Sequence, residues 1–102
     1  MRKTQKAAGV IALGIIFLSA VNAYANTTYN VPEGGTWSYG MTPGINAFSD
    51  FYHPVNFHGS KVVNRNNGMQ STGSAGAGVW SKASIWDIWD PASYYYNPYG
   101  GY

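Results

Sequence analysis

Two groups of side chains in this sequence place a positive charge next to polar or aromatic groups. Lys61 and Arg65 can donate hydrogen bonds to phosphate oxygens, and His58 and Ser60 lie beside them on the same segment. Elsewhere, Lys82 follows Trp80 by two positions. Aromatic rings can stack on sugar rings, and cations can donate hydrogen bonds to phosphate, so residues of these types can form a ligand-binding site. The candidate ligand-binding residues are Trp37, His58, Ser60, Lys61, Arg65, Trp80 and Lys82.

These residues also have simpler interpretations. Trp37 and Trp80 can be core residues, because aromatic side chains dominate the cores of small domains. The aliphatic stem of Lys82 can lie over an indole ring without contacting any ligand. Both interpretations stay open at the level of the sequence.

Neither catalysis nor metal binding is indicated. Asp50, His53 and His58 lack a helical His spacing, and no fourth ligand is evident. Ser60 and His58 could form a hydrolytic pair, but no nucleophile-elbow pattern surrounds the serines. Residues 73–78 lack the lysine of a P-loop and are interpreted as a flexible connector. We therefore expect a protein that is not an enzyme and requires no metal or cofactor.

The first 25 residues predict a secretory signal peptide. Three cations lie among the first six residues, an uncharged apolar run spans residues 7–20, and Ala23-Tyr24-Ala25 forms a small-residue cleavage pattern. The run is shorter than the roughly 20 residues that span a bilayer. Cleavage is expected between Ala25 and Asn26, which makes the protein secreted and extracellular.

Removal of residues 1–25 changes the charge of the protein. The whole chain has a formal charge of +2. Residues 26–102 contain three cations and four anions, which give a formal charge of −1. Nucleic acid is therefore not expected as a partner, because it binds clustered Lys and Arg. The chain contains no Cys, so neither disulfides nor a thiolate zinc site can stabilise the fold.

The composition of residues 26–102 predicts an all-β fold. This part of the chain has no Leu, and fifteen of its residues are Trp, Tyr or Phe. Aromatic and β-branched residues separated by Gly, Pro and Asn favour short strands with tight turns. We expect a small antiparallel β-sandwich of two short sheets, or a partly closed barrel. The mature domain, 26–102, divides into a flexible leader (26–35), a β core (36–97) and a loose tail (98–102).

Strands are predicted at 36–41, 57–65, 69–74, 79–86 and 93–97, with 47–53 ambiguous between a strand and a helical turn. Asn67-Gly68 favours a two-residue hairpin turn that would set Val63 opposite Thr72. Strand alternation places Lys61, Val63 and Arg65 on one face and His58, Ser60, Val62 and Asn64 on the other. In the strand 79–86 it separates one set, Val79, Ser81, Ala83 and Ile85, from the other, Trp80, Lys82, Ser84 and Trp86. The same rule separates the middle ring of Tyr94-Tyr95-Tyr96 from the outer two.

Four blocks of sequence resemble the lactococcin 972 family of secreted bacteriocins. The blocks are GGTWSYG at 34–40, HGSKVVN at 58–64, AGVWSKA at 77–83 and ASYYYN at 92–97. They occur in the same order as in the family and behind a predicted signal peptide, and the resemblance extends over nearly all of the mature domain. The sequence departs from the family in the additional pair Trp86 and Trp89 and in the terminal PYGGY.

The resemblance implies an unmodified antibacterial protein that folds as a β-sandwich. Members of the family look like agents that bind the cell-wall precursor lipid II and block septum synthesis in related Gram-positive cells. The resemblance further implies self-association, with a homodimer as one possibility, and immunity and transporter proteins in the producer.

Two alternatives stay open. A membrane-disrupting or pore-forming bacteriocin could use Trp86, Trp89 and the C-terminal tyrosines as an interfacial anchor. A secreted carbohydrate-binding or adhesion module without killing activity would also fit the aromatic content.

Overall fold

The computed structural model describes residues 26–102, which form seven β-strands. The predicted signal peptide lies outside these residues, and its predicted cleavage site, between Ala25 and Asn26, lies at their boundary. The strands are β1 (Thr27–Asn30), β2 (Thr36–Thr42), β3 (Asn46–Tyr52), β4 (His58–Asn64), β5 (Gln70–Ala75), β6 (Trp80–Trp86) and β7 (Ala92–Asn97). Within this part of the chain there is no helix long and apolar enough to cross a membrane.

The strands form two antiparallel sheets, as expected for a small β-sandwich. One sheet has four strands in the order β1-β2-β3-β6, and the other has three in the order β5-β4-β7. β6 packs against β4 and β5, and β3 packs against β4. The all-β prediction and the division into two short sheets are therefore confirmed.

The core lies between the two sheets, and its largest side chains are aromatic. Trp37 and Tyr39 from β2 pack with Tyr94 and Tyr96 from β7, with neighbouring ring centroids 4.4 to 4.9 Å apart. Phe51 from β3 is fully buried, and its ring centroid lies 5.0 Å from that of Tyr96. A chain this short buries a smaller fraction of its unfolded surface than a larger domain does, and large buried rings help to compensate for this.

Strand alternation correctly predicted which side chains share a face. On β6, Ser81, Ala83 and Ile85 are buried, whereas Trp80, Lys82 and Trp86 are exposed. On β4, the set of His58, Ser60, Val62 and Asn64 is the buried one. Tyr94 is buried and Tyr95 faces outwards beside Lys61 on the opposite strand.

Both ends of residues 26–102 are more ordered than the sequence predicted. The leader contains β1, which pairs with β2 so that Thr28 lies opposite Ser38. In the predicted loose tail, Pro98 is buried and the Tyr102 amide donates to Ser74 Oγ at 3.1 Å. The tail can approach β4 because Gly59 has no side chain, and a Cβ there would lie 3.0 Å from the Gly101 Cα.

The predicted hairpin register is wrong by two residues. Val63 lies opposite Gln70, and Thr72 lies opposite Lys61. The loop is longer than predicted because the Asn64 side chain organises it: its Oδ1 accepts the Asn66 amide at 2.8 Å. A shift of two residues leaves every side chain on its predicted face.

The glycine-rich segment predicted as a connector is partly a strand. β5 continues to Ala75, and the Gly73 backbone lies directly against β6. A Cβ at Gly73 would lie 2.2 Å from the carbonyl oxygen of Lys82. Glycine is therefore required here for the close approach of the two sheets.

Candidate ligand-binding face

Three of the predicted ligand-binding residues are inside the sandwich. Trp37, His58 and Ser60 each have at most 1% of their surface exposed. The Trp37 indole donates to Ser49 Oγ at 2.9 Å, and His58 Nδ1 lies 2.8 Å from the carbonyl oxygen of Asn56. Their burial corrects the sequence interpretation, since none of the three can contact a ligand at the protein surface.

The three cations lie on three different parts of the surface. Lys82 is on the outer face of the four-stranded sheet, Lys61 is on the outer face of the three-stranded sheet, and Arg65 is in the loop after β4. The two outer faces point in opposite directions. Lys61 and Lys82 therefore cannot form one binding site, contrary to the sequence-based grouping.

Lys61 already has partners of its own. Its Nζ lies 5.0 Å from the ring centroid of Tyr95 and 5.0 Å from that of Tyr102. Tyr95 is the direct partner of Lys61 across the β4–β7 pair. The side chain therefore links the C-terminal residue to the sheet through two cation–π contacts.

Trp80 and Lys82 belong to a surface that the sequence did not reveal, which we call the aromatic face. It comprises six of the outward side chains of β3 and β6: Phe48, Asp50, Tyr52, Trp80, Lys82 and Ser84. The antiparallel register sets Tyr52 opposite Trp80, Asp50 opposite Lys82, and Phe48 opposite Ser84. The six side chains therefore form three neighbouring cross-strand rows, and a fourth row, Asn46 and Trp86, continues them at the end of the sheet.

The first row of the aromatic face is a pair of rings. The centroids of Tyr52 and Trp80 are 5.6 Å apart, with an angle of 46° between the ring planes. Trp80 is 40% exposed, so part of its ring is open to a ligand. Cross-strand packing against Tyr52 restricts the orientation of the indole.

The second row is an ion pair. Lys82 Nζ lies 3.5 Å from Asp50 Oδ2 and 5.9 Å from the Trp80 ring centroid. Burial raises the pKa of the Asp50 carboxyl, and the charge and hydrogen bond of Lys82 together with the Ala83 backbone oppose this rise. The Lys82 side chain is 69% exposed, so its ammonium stays available to an anionic ligand.

Chemically, the aromatic face combines the groups that recognise a charged sugar derivative. The exposed Trp80 ring offers a surface for stacking, Lys82 offers a cation for phosphate, and Asp50 can accept hydrogen bonds from hydroxyl groups. Asp50 points outwards from β3 while His58 lies in the interior. No cluster of three His, Asp or Glu residues that could hold a metal ion occurs in residues 26–102.

Sequence reasoning missed Asp50, Tyr52 and Phe48 as candidates. Their spacing at every second position is the pattern of a strand face, but the sequence of residues 47–53 fits a helical turn as well as a strand. Their position beside Trp80 and Lys82 depends on the pairing of β3 with β6, which are separated by β4 and β5 in the chain.

Comparison with known proteins adds two findings. The family model described as bacteriocin (lactococcin 972) matches residues 33–96. The solved structure of lactococcin 972 is similar to this chain, with 38% sequence identity and a TM-score of 0.56. The match covers 64% of this chain and 98% of that chain. None of the curated proteins compared with the sequence matches it.

Proposed function

The chain belongs to the lactococcin 972 family of bacteriocins, and from this premise we propose that it kills by binding lipid II through the aromatic face. In this proposal the protein is exported by its signal peptide, acts outside the producer, and blocks peptidoglycan synthesis at the septum of related Gram-positive cells. It acts by binding and not by catalysis.

The observation that carries the proposal is the adjacency of the Tyr52–Trp80 row and the Asp50–Lys82 row. Lipid II presents sugar rings next to a pyrophosphate, so its ligand groups are also adjacent. Neighbouring residues on one face of a strand are about 7 Å apart, which is the scale of one sugar ring. A sugar stacked on Trp80 would therefore place a neighbouring phosphate within reach of Lys82.

The ion pair between Lys82 and Asp50 does not prevent this binding. Exposed ion pairs contribute about 0 to 1 kcal/mol, because water screens the charges and the side chains lose freedom. A pyrophosphate carries more charge than one carboxylate and can accept several hydrogen bonds from the ammonium. Lys82 can therefore exchange Asp50 for the ligand at little cost, and Asp50 becomes free to accept from a sugar hydroxyl.

Co-sedimentation with vesicles that contain lipid II, compared with the same vesicles without it, tests the proposal. Trp80→Ala and Lys82→Gln should each weaken the lipid II-dependent binding by about tenfold or more, the scale of a central interface residue. Lys61→Gln is the matched control, because it removes a lysine from the opposite face and should leave binding unchanged. Equal binding by the wild type and both aromatic-face variants would contradict the proposal, provided that circular dichroism shows the variants to be folded.

Dye leakage separates precursor binding from membrane disruption. If the protein acts on lipid II, vesicles without the precursor should retain their dye at concentrations that inhibit growth. Leakage from such vesicles would support a membrane-disrupting bacteriocin instead. A purified protein that binds sugars but inhibits no strain would indicate an adhesion module.

A further inference from the structure

One end of the sandwich exposes three large apolar side chains on two adjoining loops. Ile45 is 53% exposed, Trp86 is 66% exposed and Trp89 is 75% exposed. Ile45 belongs to the turn between β2 and β3, and the other two lie at the end of β6 and in the loop after it. We call Ile45, Trp86 and Trp89 the tip.

Backbone hydrogen bonds hold the two loops of the tip together. The Gly44 amide donates to the carbonyl oxygen of Ile88 at 2.7 Å, and the Asp87 amide donates to that of Ile45 at 2.9 Å. Ile88 is 2% exposed and fixes the second loop to the core. The apolar side chains of the tip are therefore presented by an ordered scaffold.

Trp89 is further positioned by Gly44. A Cβ at Gly44 would lie 2.4 Å from the Trp89 ring, so the ring lies directly on the glycine backbone. Gly44 also has a φ of +79°, which glycine adopts without strain, and it follows Pro43 in a turn closed by the Ile45 amide and the Thr42 carbonyl at 2.9 Å. This turn brings Ile45 and Trp89 to the same end of the molecule.

We propose that the tip inserts into the interfacial layer of a phospholipid bilayer. Indole rings favour the membrane–water interface, because their apolar body and their polar N–H suit a boundary between the two phases. A fluid interface can surround exposed Trp and Ile side chains that project from loops. Contiguous exposed apolar side chains of this kind mark an interaction site.

The charges around the tip indicate that apolar contact, and not electrostatic attraction, drives this binding. The charged residues on the loops at this end are Arg65, Asp87 and Asp90. They sum to a net negative charge, which gives no attraction to anionic headgroups. Asp90 also accepts a hydrogen bond from Asn64 Nδ2 at 3.1 Å. A zwitterionic surface should therefore be sufficient.

The area of the tip is too small for a stable contact between two copies of the chain. Three partly exposed side chains of this size offer roughly 400 Å², since a large aromatic residue buries about 150 to 250 Å². Stable protein interfaces bury about 800 Å² on each partner. A bilayer has no such minimum, because it deforms around whatever apolar surface enters it.

The tip is continuous with the aromatic face. Trp86 and Trp80 project from the same side of β6, six residues apart, which corresponds to about 20 Å along a strand. A protein whose tip is in the bilayer, with β6 upright, would hold Lys82 nearer the headgroups than Trp80, because Lys82 is closer to Trp86 along β6. This role of the tip rests on the proposed function, because lipid II carries its pyrophosphate at the headgroups and its sugars above them.

Flotation with phosphatidylcholine vesicles that lack lipid II tests the insertion directly. The exported protein should float with the vesicles, and its indole emission should shift to shorter wavelength. The double variant Trp86→Ala, Trp89→Ala should lose about tenfold or more in partitioning, because it removes most of the exposed apolar area of the tip. Trp80→Ala is the matched control and should partition like the wild type.

Several results would overturn the proposal. These are a wild type that does not float, flotation only with anionic lipid at low salt, and an equal loss with Trp80→Ala. If the double variant does not fold, the test uses the wild type with lipids that are brominated near the headgroup and quench nearby indoles. An absence of quenching would likewise overturn the proposal. The vesicles contain no precursor, so a failure of flotation would not decide whether the protein binds lipid II. A soluble precursor headgroup tests that binding separately, without a membrane.

Discussion

The indole nitrogen of Trp37 donates a 2.9 Å hydrogen bond to Oγ of Ser49, and both residues are buried between the two sheets. The Ser49 hydroxyl in turn donates to the carbonyl oxygen of Tyr95 at 2.9 Å. This chain of two bonds joins β2, β3 and β7, and so connects the four-stranded sheet to the three-stranded one. The two bonds join the sheets at one edge of the sandwich, and the packing of β5 against β6 joins them at the other.

Replacing Ser49 should therefore destabilise the fold. Ser49→Ala leaves the buried Trp37 N–H without its acceptor, which costs about 1 to 3 kcal/mol. Urea denaturation followed by indole fluorescence measures the change. Ser38→Ala is the control, because Ser38 Oγ accepts an exposed hydrogen bond from Thr28, and it should change the free energy of unfolding by less than about 0.5 kcal/mol. Indistinguishable midpoints for the two variants would contradict this interpretation of the bond.

Removing the Tyr94 hydroxyl should not destabilise the protein at neutral pH. The oxygen is buried and has no hydrogen-bond partner among residues 26–102. Tyr94→Phe removes an unsatisfied polar atom and keeps the ring, so the free energy of unfolding should be unchanged or rise by about 1 kcal/mol. A loss of more than about 1 kcal/mol in chemical denaturation would show that the hydroxyl has a partner.

Tyr94 also makes the stability depend on alkaline pH. Burial raises the pKa of the Tyr94 hydroxyl above the ordinary value for tyrosine. Above the ordinary tyrosine pKa of about 10, the unfolded chain loses this proton while the folded chain keeps it, so stability falls as the pH rises. The free energy of unfolding should fall less steeply with rising pH in Tyr94→Phe than in the wild type. Unfolding measured between pH 8 and pH 11, which bracket the ordinary tyrosine pKa of about 10, checks this. Parallel curves would contradict this assignment.

Gly73 and Gly76 should respond very differently to the same substitution. A Cβ at Gly73 would clash with the Lys82 backbone, whereas a Cβ at Gly76 meets nothing within 4 Å. Gly73→Ala should cost about 1 to 3 kcal/mol or more, because the two sheets must move apart. Gly76→Ala should stay within about 0.5 kcal/mol of the wild type. Equal stability of the two variants in thermal unfolding would show that the sheets do not meet at Gly73.

Lys61 should contribute to stability and not to ligand binding. Lys61→Met keeps the aliphatic stem and removes the charge that lies between Tyr95 and Tyr102. The loss should be about 0.5 to 1 kcal/mol per contact at an exposed site. Chemical denaturation measures it. An unchanged midpoint together with weaker lipid II binding would move the ligand site to the three-stranded sheet.

Local sequence patterns were sufficient for the faces of the strands but not for their partners. The alternation in β6 and β4 correctly separated Trp80 and Lys82 from Ser81 and Ala83, and Lys61 from Ser60, because the period of a strand is a local property. The hairpin register failed because Asn64 lengthened the loop through its side chain. The order of the tail was missed because it depends on the contact between Tyr102 and Ser74, which lie 28 residues apart. β1 was missed although it pairs with the next strand along the chain.

The candidate site shows the same difference between strand faces, which the sequence predicts, and strand partners, which it does not. The sequence identified Trp80 and Lys82, which share one strand face, but joined them to buried residues and to cations on other surfaces. Tyr52 and Asp50 enter the site only through the β3–β6 pairing. A contact between segments this far apart in the chain follows from the packing of the whole sandwich, which composition and spacing do not specify.

Titration of the ¹⁵N-labelled protein with the water-soluble headgroup of lipid II, followed by NMR, shows whether the aromatic face binds the precursor. We expect the largest amide shifts in β3 and β6, at Asp50, Tyr52, Trp80 and Lys82, and we expect them to disappear in Trp80→Ala. Shifts confined to Lys61 and Tyr95 on the opposite sheet, or no shifts at saturating headgroup, would contradict it.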